Sequence, residues 1–320
     1  MLKTRLTELL DIQHPIIGGC MMHISGPSFV AAISNAGALG MMASAMFESK
    51  KEFRAAVHEV QSLTDKPFGV NLSLFPALRP IDNDLYVDVI LEEGVPVVET
   101  SGARPPQDLL ARLGSGGVKT MHKCISARHA LNAQKTGVDA VTVFGSEGGG
   151  HIGDLGLTTM VLVPRTADSV NIPVIAAGGI ADGRGLLAAL ALGADGVTIG
   201  TRLLVTQECP IHDDLKIALL QATEVDTLTI LGTLHNTLRA WKNPAALKVA
   251  DLESKDSDLW EIFNIVAGTE TKKMYQEGDT SAGVIACSQS IGLISEIESV
   301  STVITNMVAQ ANESIEQLVN

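Results

Sequence analysis

IPVIAAGGIADGRGLLAALALGADGVTIGTR, residues 172–202, decides the fold. An apolar run closes on two glycines, Gly178 and Gly179. A segment of helical period follows, opening at Asp182 as a plausible N-cap and ending at Gly193, and a second apolar run closes on Gly200 and Thr201. This is a strand, a helix and a parallel strand. Working outward, the same alternation recurs through PIIGG from Pro15, LGMMAS from Leu39, FGVNLSL from Phe68, VPVVETS from Val95, VKTMHKC from Val118 and AVTVFGS from Ala140. Between the runs lie helix-like stretches such as SKKEFRAAVHEVQSL and SARHALNAQKTG, the latter with Ser126 to start a helix and Gly137 to stop it. Eight strand–helix repeats predict a closed TIM-type (β/α)8 barrel, and their even spacing favours closure over a doubly wound open sheet. The barrel is expected over residues 1–209. EVDTLTILGTLHNTLRAWKN and DLESKDSDLWEIF read as an appended helical subdomain over 210–282, and 283–320 as a helical segment returning to the barrel.

Composition agrees. The 320 residues are 46% hydrophobic but only 3% aromatic, which suits buried aliphatic strands under helices. The net charge of −13, with no basic cluster, argues against a nucleic-acid partner. Cys20, Cys124, Cys209 and Cys287 lie far apart, without a C-x-x-C pair, and read as reduced thiols, not a disulfide framework or a zinc site. The N-terminus lacks a long apolar stretch and no run is long enough to span a bilayer, so the expected location is the cytoplasm, with no membrane partner.

In such a barrel, chemistry gathers at the C-terminal strand ends, and phosphate is often held after the seventh and eighth strands. Gly178, Gly179, Gly200 and Thr201 stand there. Glycines let backbone N–H groups approach phosphate oxygens, so an acidic protein can still hold a phosphate; the competing reading is tight turns alone. FGSEGGGHIG supplies a second site. Gly148, Gly149 and Gly150 leave room for a flat ring, and His151 would deliver an imidazole suited to proton transfer. Lys123 would point a charge into the same mouth, Asn71 and Ser73 could meet the polar edge of a heterocycle, and Met21 and Met22 could pack on its face; each has a plainer role as surface lysine, turn former or core filler. There is no G-x-G-x-x-G after the first strand, no Walker lysine motif, no H-E-x-x-H and no G-x-S-x-G. Any NAD(P)H would therefore be a transient substrate.

Taken in order, HPIIGGCMMHIS, ISNAGALGMMAS, PFGVNLSL, GSEGGGHIG, the 172–202 stretch and YQEGDTSAG resemble the nitronate monooxygenase (2-nitropropane dioxygenase) family over nearly the whole chain. HKCISARHAL, TRLLVTQECPIH and YQEGDT look most like its NADH:quinone reductase branch. The resemblance implies one non-covalent FMN at the mouth. Cys20, Met21 and Met22 would line the ring, Ser73 and Lys123 its polar edge, Gly149 would sit near it, and Gly178, Gly179, Gly200 and Thr201 would hold the phosphate. His151 falls on the family's active-site histidine, which acts as a base where neutral nitroalkanes are substrates.

Three departures bear on the substrate. The family's usual Gln-Gly-Gly is Gly18, Gly19 and Cys20; its Glu-Ala-Gly-Gly-His is Glu147, Gly148, Gly149, Gly150 and His151; and a common Ser-Ala-Gly is Ala286, Cys287 and Ser288, so that a polar group expected over the active site has moved or vanished. The expected function is FMN-dependent oxidation of alkyl nitronates or nitroalkanes with O2. The alternatives are an NAD(P)H:quinone reductase, a flavin-dependent enoyl reductase, which GGGHIG and LTTMVLV also echo, and a flavin-binding protein without catalysis. A loop without cysteine after the sixth strand argues against an IMP dehydrogenase-like barrel.

Overall fold

The computed structural model describes residues 2–74, 82–255 and 259–319. The barrel strands are β1 (Ile16–Gly18), β2 (Gly40–Ala43), β3 (Phe68–Leu74), β4 (Val97–Gly102), β5 (Lys119–Cys124) and β6 (Ala140–Phe144). After a two-residue β7 (Gly150–His151) outside the barrel come β8 (Val174–Ala177) and β9 (Gly196–Ile199). The eight parallel strands run β1-β9-β8-β6-β5-β4-β3-β2. The ring shuts between its ends through the bridge Ile17↔Leu39, where Gly18 N donates to Leu39 O at 2.9 Å and Leu39 N to Ile16 O at 3.0 Å. Each strand coincides with one of the eight apolar runs, and most strand positions are buried because helices cover the outside and side chains fill the lumen.

Alternation along the strands splits the lumen into two levels. Ile17, Leu39, Met41, Val97, Met121, Ala140 and Ile175 form an apolar plug with Leu6, Leu10 and Ile12, the last three from the N-terminal helix Arg5–Leu10 and the turn after it. One pleat higher, toward the C-terminal strand ends, the register pairs Asn71 with Glu99, Lys123 with Thr142 and Ala177 with Thr198. The lumen is therefore apolar below and polar at its mouth.

Helices Pro27–Asn35, Lys50–Leu63, Asn83–Glu92, Gln107–Ser115, Ala127–Thr136, Thr159–Ala167 and Gly183–Ala191 follow the first seven barrel strands. The side chains of Ser126 and Asp182 cap their helices as expected, and Gly137 ends the first of these at φ 107°. After β9 only a short helix, Thr201–Leu204, forms. The eighth place in the outer ring is taken by Val300–Val319, which packs against both Gly183–Ala191 and Pro27–Asn35. The segment expected as helix from 283 is extended and turned as far as Ser299, apart from one short 3-10 helix, Gln289–Leu293, and becomes α-helical only beyond it.

The all-helical reading of 210–282 needs correction. Between the helix Asp213–Leu220 and the helices Pro244–Ser254, Leu259–Val266 and Gly268–Glu277 lies an antiparallel hairpin, β10 (Thr227–Ile230) and β11 (Leu238–Trp241). Leu228, Leu231, Leu234 and Leu238 recur at helical spacing and mask the period-two alternation of Thr-Leu-Thr-Ile. Leu231 and His235 turn the chain in the left-handed region, at φ 62° and 51°. Positions 256–258 of the polar stretch DLESKDSDLWEIF lie outside the described residues. Ile230, Leu231, Ala240, Ala245, Ala246, Val249, Ile262 and Val284 make a small core separate from the barrel's. No helix among the described residues is long and apolar enough to cross a membrane.

Candidate active site

Glu99 sits at the centre of the polar level, 1% exposed, on a strand otherwise lined by Val97, Val98 and Thr100. Its Oε2 accepts from Asn71 Nδ2 at 2.9 Å and faces Lys123 Nζ at 3.2 Å, while Oε1 accepts from Thr142 Oγ1 at 3.1 Å. Ser101 Oγ donates to Asn71 Oδ1 at 3.2 Å. A buried carboxylate is tolerable only with such partners. Desolvation pulls the Lys123 pKa down, but the adjoining Glu99 carboxylate outweighs it and holds the ammonium above its usual range. Burial pushes the Cys20 thiol up to about 12, against the pull of Lys123, so Cys20 is a neutral neighbour of the pair. Lys123 thus points inward as expected, and Asn71 spends part of its amide on Glu99. Glu99 itself is a residue the sequence reading passed over; an acid inside the run VPVVETS was the available signal.

The strand-end turn Gly178–Gly179, where a phosphate is expected, is glycine by necessity. Gly178 and Gly179 have φ of 102° and 76°, a region that side chains resist. A Cβ on Gly178 would stand 2.9 Å from Gly145 O, and one on Gly19 3.3 Å from both Ile199 O and Thr198 Cγ2. Met21 Sδ comes within 3.9 Å of where a Cβ of Gly200 would be, which sets Met21 over the eighth strand end, whereas Met22 is 45% exposed. Ser73, half-buried at the end of β3, accepts through its carbonyl from Asn83 Nδ2 at 3.0 Å.

Ser288 fastens these turns together. Its N–H donates to Thr201 Oγ1 at 2.9 Å, and its Oγ donates to Glu147 O at 2.7 Å and accepts from Gly179 N at 3.3 Å. The polar group expected over the site has moved to Ser288 and become a tie between three strand ends. Gly149 is equally constrained, since a Cβ there would lie 2.6–2.7 Å from the backbone of Cys287 and Ser288. Glu147 receives Thr159 N at 2.9 and 3.0 Å on its two oxygens, anchoring the glycine run at the start of the Thr159–Ala167 helix.

His151 lies on β7, which pairs antiparallel with β11 so that Leu238 faces His151 and Arg239 faces Gly150. Arg239 Nε donates to Ser146 O at 2.8 Å and one terminal nitrogen to Thr227 Oγ1 at 3.1 Å, so the hairpin grips both ends of the glycine loop. The imidazole is open to solvent on one side, while the protein crowding its other sides lowers its pKa. On the outer face of β5, ligand atoms of His122, Cys124 and His129 lie within 4.8 Å of one another. These side chains point away from the mouth, and the two imidazoles already hydrogen-bond each other at 3.0 Å.

Two features test whether this mouth suits a flavin phosphate and ring. Gly178 and Gly179 present backbone in a left-handed turn, where a Cβ on Gly178 would stand 2.9 Å from Gly145 O, and Thr198 Oγ1 is a buried hydroxyl without a partner in the lumen level facing the mouth. Both fit a bound polar heterocycle.

A family model described as nitronate monooxygenase matches residues 3–310. A (3aS,4S,5R,7aS)-5-hydroxy-7a-methyl-1-oxo-octahydro-1H-indene-4-carboxyl-CoA dehydrogenase of Rhodococcus jostii is 36% identical over 99% of this chain and 98% of its own. A probable nitronate monooxygenase of Staphylococcus saprophyticus is 31% identical, covering 98% of both chains. The solved structure of FabK from Thermotoga maritima is similar at TM-score 0.92 and 38% identity over 99% of each chain.

Proposed function

The chain belongs to the nitronate monooxygenase family, and we propose that within it the protein is an FMN-dependent oxidoreductase acting on a substrate whose reacting end is an uncharged conjugated carbonyl, such as a thioester. Gly178, Gly179, Gly200 and Thr201 would hold the phosphate, Cys20, Met21, Met22, Asn71, Ser73, Lys123 and Gly149 would surround the ring, and His151 would serve as proton donor or acceptor. A bound flavin supplies hydride chemistry. Glu99, itself held by Asn71, fixes Lys123 at the lumen wall, the hairpin holds His151, and its imidazole can give a proton to a developing enolate oxygen or carbon, or take one back in the reverse direction.

The observation that carries this reading is the charge balance of the mouth. Lys123 is matched by Glu99 at 3.2 Å, so the mouth offers no unpaired charge there to an anionic reacting group, which favours a substrate uncharged at its reacting end. The rim agrees: Met22, Leu155 and Met160, on connections at the C-terminal strand ends, are 45–68% exposed and offer apolar surface to a substrate arm. The named thioester dehydrogenase among the relatives supports the same class. A second reading, oxidation of alkyl nitronates with O2, is supported by the family match and by the relative of that name.

Purified holoprotein should be yellow and release FMN on denaturation. Steady-state assays with NADH or NADPH against an enoyl thioester and a quinone, and with a nitronate and O2, separate the readings. Thioester turnover exceeding the rest supports the first, and nitronate turnover alone overturns it. His151→Ala should keep FMN but lower turnover roughly a hundredfold, the scale of a lost general acid or base. Full activity of that variant on every substrate removes His151 from the chemistry.

A further inference from the structure

We propose that Glu99 is a positioning residue that fixes Lys123 as a permanently charged, internally neutralised partner for the flavin this mouth would hold, so that flavin reduction draws no proton onto this pair. The inference rests on the flavin reading above and extends it to a residue outside the glycine turns and the histidine loop.

The geometry is that of a built pair. Glu99 has almost no exposed surface and Lys123 little, and they meet at 3.2 Å. Asn71 from β3 and Thr142 from β6 occupy the remaining carboxylate positions at 2.9 and 3.1 Å, so the carboxylate is held from both sides while Lys123 approaches from β5. Among the described residues, the charged or titratable groups that act on Lys123 are Glu99 of β4 and Cys20 of the loop after β1. Asn71 and Thr142 are neutral donors. Burial pushes the Cys20 thiol up to about 12, which leaves it protonated at working pH.

Reduction places negative charge on a flavin, and a protein tunes it through nearby charge. A lone buried lysine would lose its proton readily beside an oxidised ring and regain it on reduction, coupling the two events. Paired with Glu99, Lys123 keeps its charge in both states. A lone buried carboxylate would show the mirror behaviour, taking up a proton when a neighbouring flavin turns negative. Each group therefore needs the other to stay silent.

The test is the midpoint potential of bound FMN measured against pH in the holoprotein. The wild-type profile should show no break that depends on this pair from pH 6 to pH 9. Glu99→Gln should add one, with the slope steepening by one extra proton per flavin reduced, and the break should vanish in Glu99→Gln/Lys123→Met. Lys123→Met reads the pairing from the other side, through a new break assigned to Glu99, and serves if Glu99→Gln fails to fold. Profiles of both single variants that parallel the wild type overturn the proposal, as does a break that survives in the double variant. A protein that binds no FMN instead defeats the flavin reading itself, so the two failures are distinguishable.

Discussion

At the scale of single residues, the mouth is built where backbones come too close for a side chain. Gly149→Ala would set a methyl 2.6–2.7 Å from the Cys287 and Ser288 backbone, and neither neighbour is a flexible side-chain tip. We expect it to lower stability by about 2–4 kcal/mol, in the range of overpacking with backbone displacement, and to weaken FMN binding by loosening the Ser288 tie. Gly94→Ala is the control: its φ is 68°, but nothing lies within 4 Å of the new Cβ, so a cost near 1 kcal/mol from the left-handed backbone alone is expected. Chemical denaturation of the two variants checks the pair, and equal losses would refute the steric account. The glycines were legible in the sequence because strand-end Gly-Gly and Gly-Gly-Gly runs have few other uses in a barrel. Glu99, Thr198 and Ser288 were not. Each looks ordinary in its own segment: Glu99 and Ser288 take their meaning from distant partners, such as Asn71, 28 residues from Glu99, and Glu147, 141 residues from Ser288, and Thr198 from a buried hydroxyl left without one.

At the scale of elements, the eight barrel strands could be read because both faces of each are buried, which leaves near-continuous apolar runs. The β10–β11 hairpin could not, because its four leucines copy a helical spacing while its true partner, β7, is two residues long and some 75 positions upstream. A second element-scale device lies between β5 and its following helix. Thr100 Oγ1 donates to Met121 O at 3.2 Å and so accepts from His122 Nδ1 at 2.8 Å, which leaves His122 Nε2 to accept from His129 Nε2 at 3.0 Å. Burial first, then the neighbouring His129, lowers the His122 pKa to about 4. An imidazole whose folded pKa lies below its unfolded value of about 6.5 must bind a proton on unfolding, so its contribution is complete above pH 6.5 and is lost as the pH falls toward 4. Unfolding free energy should fall across that window by an amount of the order of 3 kcal/mol, and His122→Gln should flatten the decline. Denaturation midpoints measured from pH 8 to pH 4 give the answer, and an unchanged slope in the variant would place the acid sensitivity elsewhere.

At the scale of the whole molecule, the chain leaves the barrel after β9, builds the hairpin-bearing subdomain and returns to supply the missing outer helix. Val300–Val319 closes the gap between Gly183–Ala191 and Pro27–Asn35, and contact is close enough that a Cβ on Gly183 would collide with Met307 O and lie 2.6 Å from Ala311 N. Gly183 N also donates to Gln310 Oε1 at 2.7 Å. The helix buries Val300, Val303, Ile304, Met307, Val308 and Ala311. At about 1.5 kcal/mol or more for each of the larger apolar side chains, losing that face removes an amount comparable with the whole net stability of a typical domain, about 5–15 kcal/mol. Truncation after Ser299 should therefore give a protein that fails to fold or aggregates, whereas removal of the exposed tail, Leu318 onward, should leave the melting temperature within a few degrees. Gly183→Val should fall between these extremes, destabilising the protein while leaving the helix attached. Because Gly183 follows Asp182 at the start of the helix after the Gly178–Gly179 turn, the same variant should also weaken FMN binding. A truncated chain that folds and retains FMN would show that the barrel closes on its own seven helices, and that the returning segment is cover and not structure.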